Sequence, residues 1–401
     1  MRLFVVLSVL TALVVSGCAS APGGGKAEGV YLKATVFSAL PGWQVDDVGA
    51  ALGPLQKSCA LVLKKEDAAV FGAGGFAGTV SDWREACAGA DAVASGDAQR
   101  YFERYFTPYE IHGASGRTGL FTGYYEPELR GAYKKQAPYL TPIYARPANL
   151  VTVNLGDFKP GLKGEAVVGR VEIDKNGARL VPYYKRAEIE KGKIEGEETI
   201  VWVDNPVDAF FLHIQGSGLV KMTDGKTLQI GYAAQNGQAY TAIGRTLVST
   251  GALDKSNVSM QSIRAWLEAH PKEAPEIMNV NTSYVFFRKL EGGGAIGAQG
   301  VELTPERSLA VDSKKLPYGA PLWLDAENPD GGARLQRLMI AQDTGGAIAG
   351  AVRGDFFWGS GAAAADKAGR MKSKGEGFIL LPKSVQVPEE RTWHFWRGFF
   401  R

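Results

Sequence analysis

Three aspartates that flank apolar runs near the C-terminus, Asp312, Asp343 and Asp355, lie within a span of 44 residues. Carboxyl groups gathered in this way can give a proton to a leaving oxygen and steady the positive charge that develops beside it. Asp312 follows Leu309-Ala310-Val311, Asp343 sits in Ala341-Gln342-Asp343-Thr344-Gly345-Gly346, and Asp355 sits in Gly354-Asp355-Phe356-Phe357-Trp358-Gly359. Each ends or flanks an apolar, strand-like run with glycine nearby, a position that sets a carboxylate on the rim of a sheet. Gly345 and Gly346 are expected to supply positive φ and close backbone approach. A turn aspartate capping a strand end is the competing reading for any one of the three, and it weakens for three together. Asp355 precedes three aromatics, which predicts water-poor surroundings and a protonated general acid. Asp343, among a hydroxyl and glycine amides, is expected to be the ionised, supporting carboxylate.

Two further clusters suit a carbohydrate. Phe121-Thr122-Gly123-Tyr124-Tyr125-Glu126-Pro127 offers paired tyrosines beside a glutamate, and His213-Ile214-Gln215-Gly216-Ser217-Gly218 offers an amide and a hydroxyl spaced by glycine. Aromatic faces stack on sugar rings, and amides and hydroxyls bond to sugar OH groups. Thr122, Gly123, Tyr124, Tyr125, Glu126, Gln215, Ser217, Gly345 and Gly346 are therefore the candidate substrate contacts. On a strand, one of Tyr124 and Tyr125 would be packed and the other exposed. His213 reads as a buried histidine bonded to backbone. No metal site is expected: the chain has four histidines and three cysteines, no HExxH pattern and no CxxC. GxxxxGK[ST] and GxSxG are absent, and the glycines from Gly72 to Gly78 lack the surrounding unit of a dinucleotide site.

The elements that must hold these residues follow from pattern. With 401 residues and 45% apolar content the chain is ordinary in composition, and its charge of +3 argues against a nucleic-acid partner. Its 51 glycines without a proline excess suggest tight turns in a β-rich fold. Val48, Leu52, Leu55, Cys59 and Val62 mark one face of a helix over about 47–64, and a second helix starts near Thr79 with Val80, Trp83 and Cys87 inward. Cys59 and Cys87 are then either a disulfide or two core thiols. A third helical stretch carries Ala98, Tyr101, Phe102 and Tyr105 and stops at Pro108. Strands are expected at 166–173, 178–184, 199–203, 284–288, 309–311, 321–324 and 335–341, and helices at 240–249 and 260–269. The fold class is mainly β with N-terminal helices, in two β units.

Arg2 followed by the run Leu3 to Val15 reads as a signal peptide, too short to span a bilayer. Val15-Ser16-Gly17-Cys18 resembles a lipoprotein processing box, with Cys18 lipidated and residues 18–30 a flexible tether. Ala19 in place of an aspartate favours the periplasmic face of the outer membrane by analogy. The aromatic tail, Trp393 to Phe400, is expected to pack on the fold.

Taken together, FTGYYEPEL, HIQGSG, NTSYVFFR (Asn281 to Arg288) and AVD…AQDTGGAI…GDFFWG resemble the membrane-bound lytic murein transglycosylase A family across residues 119 to 382. The resemblance implies a double-psi β-barrel domain (31–129 plus 281–401) with a smaller β-barrel domain (130–280) inserted and a groove between them. It implies cleavage of the β-1,4 bond between N-acetylmuramic acid and N-acetylglucosamine without water or cofactor, leaving a 1,6-anhydro end. By motif Asp355 matches the family's acid, and Asp343 and Asp312 its two other aspartates. The partners implied are peptidoglycan glycan strands, a membrane through the lipid anchor, and a cell-wall enzyme complex. A non-catalytic glycan-binding lipoprotein and a hydrolytic glycosidase on the same scaffold are the alternatives.

Overall fold

The structure is a computed structural model that describes residues 29–73, 75–291 and 294–388. The signal peptide, Cys18, most of the tether and the aromatic tail lie outside the described residues. The fold is mixed α/β, mostly sheet with few helices. Among the described residues no helix is long and apolar enough to cross a membrane.

The chain starts with β1 (Tyr31–Ala34), then α1 (Leu52–Val62), α2 (Val80–Ala90) and α3 (Ala98–Tyr105), followed by β2 (Phe106–His112) and β3 (Thr118–Glu126). The helical stripes read from sequence face inward: Leu52, Leu55, Cys59 and Val62 on α1, Val80, Trp83 and Cys87 on α2, Tyr101 and Phe102 on α3 are all buried. Thr79 caps α2, its backbone amide donating to Asp82 Oδ2 at 2.8 Å, which places the helix start where the side chains allow it. Cys59 and Cys87 form a disulfide with Cα atoms 5.2 Å apart, joining α1 to α2.

A second unit follows. Its strands are β4 (Glu128–Ala132), β5 (Thr141–Tyr144), β6 (Leu150–Asn154), β7 (Ala166–Asp174) and β8 (Gly177–Pro182). After α4 (Arg186–Glu190) come β9 (Thr199–Val203), α5 (Pro206–Gln215), β10 (Ser217–Met222) and β11 (Thr227–Gln235). Helices α6 (Ile243–Ser249), α7 (Met260–Ala269) and α8 (Ala274–Asn279) lead to β12 (Val285–Lys289). The chain then returns through β13 (Ser308–Val311), β14 (Pro321–Ala326), β15 (Leu335–Asp343), β16 (Arg353–Ser360), α9 (Gly361–Arg370) and β17 (Lys372–Pro382).

The first and last segments share one eight-stranded sheet in the order β1-β2-β17-β14-β15-β13-β16-β3. A further pairing of β3 with β17 closes six of these strands into a ring. Two neighbours in the ring, β13 with β15 and β3 with β16, run parallel, and the rest are antiparallel. The intervening segment forms a six-stranded sheet, β12-β11-β10-β4-β9-β5, and a three-stranded one, β6-β7-β8. The cores divide likewise: one large cluster draws on Val30 to Tyr125 and Leu309 to Val385, and three clusters draw on Leu129 to Phe287.

Sequence and structure part company in several places, three of which bear on the two units and the site. Residues 284–288, placed from sequence in the first unit, pair with β11 and bury Phe286 and Phe287 in the second unit's cores. Helix α5 was not expected, although its signals are present. The Asn205 side chain accepts from Val207 N at 2.8 Å, Pro206 opens the first turn, and Gly216 ends it at φ +81°. Helix α9, rich in alanine between Gly361 and Arg370, was also missed.

Candidate active site

The ring brings two of the three aspartates side by side through backbone register. Ala310, on β13, is the partner of Asp355 on β16 and of Asp343 on β15. On the far side of β16, Asp355 is paired with Thr122 on β3, and Thr122 with Lys372 on β17. Register partners project from the same face of a sheet. One row therefore runs Asp343, Ala310, Asp355, Thr122, Lys372. Alternation along each strand settles the rest. Phe356 and Trp358 turn to the large core, while Phe357 shares the aspartates' face and packs at 5.1 Å on Tyr124, its partner across the ladder.

The two aspartates have contrasting surroundings, and the contrast reverses the expectation from sequence. Asp355 Oδ1 accepts from Thr122 Oγ1 and from the Arg353 guanidinium, which also donates to Thr122 Oγ1 at 2.8 Å. The Asp355 side chain is 21% exposed, and among the described residues its Oδ2 has no hydrogen-bond partner. An arginine two residues back on the same strand face thus replaces the apolar shelter that the following aromatics suggested. Two of those aromatics point to the other side of the strand.

Asp343 has both oxygens engaged. Tyr124 donates its hydroxyl to Oδ2 at 2.9 Å and the Ala298 amide donates to Oδ1 at 2.8 Å. Burial pushes this carboxyl up to about 6, against the downward pull of the Ala298 and Thr344 amides and the Tyr124 hydroxyl; the charge on Asp355 adds to the rise. The Tyr124 hydroxyl is held well above its ordinary range, first by burial and then by Asp343, so it stays a donor. Asp312 has a third kind of setting. It accepts from Lys314 N at 3.1 Å and from Gly350 N at 2.9 Å, so its carboxylate ties together the loops after β13 and before β16.

The glycan contacts expected from sequence are only partly gathered here. Thr122 and Tyr124 face the aspartates. Gly123 faces the opposite way: a Cβ there would lie 2.6 Å from Trp358 Nε1 and 2.8 Å from Ala368 Cα of α9, so its absence of a side chain serves packing. Tyr125 is buried in the large core, and its amide donates to Gln215 Oε1 at 3.2 Å. Glu126 is 4% exposed, accepts from Gln229 Nε2 at 3.1 Å and bonds Ser217, and burial raises its carboxyl despite those bonds. Glu126, Gln215 and Ser217 thus join β3 to α5, β10 and β11; Glu126 is buried, while Gln215 and Ser217 are half-buried. Gly345 and Gly346 are exposed but neither adopts positive φ; the left-handed glycine of this loop is Gly350, at φ +122°. His213 is buried, accepts from Val285 N at 3.5 Å and lies 3.4 Å from Arg186 Nη2; burial and that arginine hold its imidazole well below the usual range.

Sequence reasoning missed Arg353, Lys372 and the Ala298 amide. Arg353 had a legible signal, a basic residue two before an acid on a strand. Ala298 had none, since a backbone donor depends only on where its loop folds.

Comparison with known proteins accords with this geometry. Residues 120–288 match the family model of the MltA specific insert domain, and residues 307–381 match that of the 3D domain. Membrane-bound lytic murein transglycosylase A of Escherichia coli K12 is 30% identical over 295 residues, 72% of this chain and 72% of that protein. The crystal structure of a membrane-bound lytic murein transglycosylase from Agrobacterium tumefaciens superposes with a TM-score of 0.78 at 33% identity, covering 88% of this chain and 98% of that one. That of MltA from Neisseria gonorrhoeae does so at 0.73 and 32%, covering 89% and 92%. With two family models covering both units in order and relatives matched along most of their own length, the chain belongs to the membrane-bound lytic murein transglycosylase A family.

Proposed function

We propose that this chain is a lytic transglycosylase that cleaves the β-1,4 bond between N-acetylmuramic acid and N-acetylglucosamine in peptidoglycan, with Asp355 as acid and then base. The observation that carries the assignment is the unpartnered Oδ2 of Asp355 in a carboxyl whose other oxygen is fixed by Thr122 and Arg353. Both oxygens of Asp343, by contrast, are occupied. A proton on Oδ2 passes to the bridging oxygen as the C1–O bond breaks, and the Arg353 guanidinium is already in place to hold the negative charge left behind. The muramoyl C6 hydroxyl then bonds to C1 and returns its proton to Asp355. The acid is regenerated, no water is consumed and no cofactor is needed. Ionised Asp343 opposes the positive charge at C1 in the transition state, and Asp312 holds the surrounding loops.

The ring of six strands is read as a double-psi β-barrel, and the second unit, with boundaries near residues 128 and 289, as a smaller inserted barrel. The closure of β3 on β17 and the bridge from Ala145 to Phe287 support this. The groove lies between the units, which α7 holds together: Gln261 Nε2 donates to the Ala365 and Asp366 carbonyls of α9 at 3.2 and 3.1 Å, and Met260 packs against cores on both sides. Lipidation at Cys18 would anchor the enzyme at the periplasmic face of the outer membrane, and Cys18→Ala should abolish acyl labelling.

Mass spectrometry of digested sacculi tests the chemistry. Wild type should release anhydromuropeptides, and Asp355→Asn, correctly folded, should release none. Reducing ends would mark a hydrolase, and no cleavage a binding protein. One observation favours exchanged roles for the two carboxyls, since Asp343 is the one pushed up to about 6. Loss of all activity in Asp343→Asn with substantial activity in Asp355→Asn would make Asp343 the acid.

A further inference from the structure

Gln342 precedes Asp343 on β15 and therefore points the other way, where it is completely buried. Its amide is fully engaged. Nε2 donates to the Pro54 carbonyl at 2.8 Å and to Ser58 Oγ at 2.9 Å, both on α1, and Oε1 accepts from Ser308 Oγ at 2.6 Å. Ser58, also fully buried, donates its hydroxyl to Gln299 Oε1 at 2.8 Å. Gln299 is the neighbour of Ala298, whose amide bonds Asp343, and its own amide donates to the Gln342 carbonyl at 3.0 Å. The two segments that grip Asp343, the end of β15 and the turn at 297–299, are thus both fastened to one helix through one hydroxyl. A methionine at 342 would fill similar volume but take a donor from the Pro54 carbonyl and the Ser58 hydroxyl and an acceptor from Ser308. What the amide network adds is a unique placement of the two segments.

We propose that Gln342 and Ser58 are positioning residues for Asp343: they lock the strand end and the facing amide as one unit. Neither side chain touches the carboxylate oxygens. The groups that do face Asp343 are Tyr124 from β3, Asp355 from β16 and Tyr318 from the turn before β14. On the helix side, Lys57 is neutralised by Glu302 at 3.1 Å. The proposal rests on the function proposed above for the activity to be measured.

Ser58→Ala and Gln342→Met are assayed for anhydromuropeptide release from sacculi between about pH 4.5 and 8, with melting temperature in parallel. Ser58→Ala should melt within a few degrees of wild type, lose roughly tenfold in kcat with KM unchanged, and move the acidic limb of the profile up by about one unit. The direction follows because a loosened 297–299 turn weakens the Ala298 amide bond that pulls the Asp343 carboxyl down. Gln342→Met should move it the same way and further. Arg307→Lys, which disturbs a buried ion pair between the turn before β13 and Asp46 in the loop before α1, should lower the melting temperature and leave the limb in place. The inference is overturned if both variants superpose on the wild-type limb and lose activity only with folded fraction. If wild type itself yields no anhydro ends, the proposed function fails instead. A ¹³C titration of the Asp343 carboxyl in the same variants then reads positioning directly: a midpoint unchanged from wild type sinks it, and a higher one sustains it.

Discussion

Replacing Asp343 by asparagine should make the protein more stable, and by an amount that depends on pH. Burial lifts this carboxyl from 3.8 to about 6, roughly two units, and each unit corresponds to about 1.4 kcal/mol. Between those two values the folded chain binds the proton that the unfolded chain has released, so stability falls as pH rises. The contribution is present in full below the unfolded value and lost as pH passes the folded one. At pH 7 and above, the ionised group costs the fold about 3 kcal/mol relative to a neutral one. Asparagine keeps an oxygen for the Ala298 amide and turns its NH₂ toward the Tyr124 hydroxyl, which can rotate to accept. Denaturant unfolding of Asp343→Asn and wild type at about pH 4, 6 and 8 should show a gain of about 2–3 kcal/mol at the highest pH that shrinks toward zero at the lowest. Activity should fall at every pH. A variant no more stable than wild type at pH 8, or one equally stabilised at pH 4, would refute the claim that seclusion of a charge dominates this site.

Tyr124→Phe removes a donor to Asp343 without changing the ring that packs on Phe357, so the carboxyl should rise by about one further unit and the acidic limb of activity should move up, in the same direction as Ser58→Ala. Gly123→Ala should cost about 1–3 kcal/mol by calorimetry, because the new methyl collides with Trp358 and the backbone of α9 and not with a ligand. Cys59→Ser with Cys87→Ser, or reductant on the wild type, should lower stability by about 3–4 kcal/mol for a bridge of sequence separation 28, measured by urea titration.

What could be read from the sequence was whatever depended on one element at a time. The stripes of α1, α2 and α3 follow from a 3.6-residue period, and Met260–Ala269 was bounded correctly because Ser259 and Pro271 flank it. The site depends on several elements at once. Nothing local to AVD, AQD or GDF says that Ala310 will stand between Asp343 and Asp355, because that follows from one parallel and one antiparallel pairing made far apart in the chain. The same limit applies to Phe121 to Glu126. Its composition suits a sugar, but a strand shows only alternate residues to one side, so Thr122 and Tyr124 reach the carboxylates while Phe121, Gly123 and Tyr125 go to the core. In HIQGSG Gly216 is a left-handed helix end, and the flanking Gln215 and Ser217 take part in joining α5 and β10 to β3.

The electrostatics of the two carboxyls also explain why an unfavourable charge would be kept at Asp343. A carboxylate in water is screened and exerts little force on a passing oxocarbenium ion, whereas one in a water-poor wall acts through a low dielectric. The same burial that lifts Asp343 to about 6 therefore strengthens its pull on positive charge at C1, and it does so without reorganisation, since Ala298 and Tyr124 already hold both oxygens. Asp355 needs the reverse: one oxygen fixed by Thr122 and Arg353, one open, and a cation at hand when its proton has gone. A neutral Asp343 would spare the fold and remove the field, so stability and rate must change in opposite directions at this position.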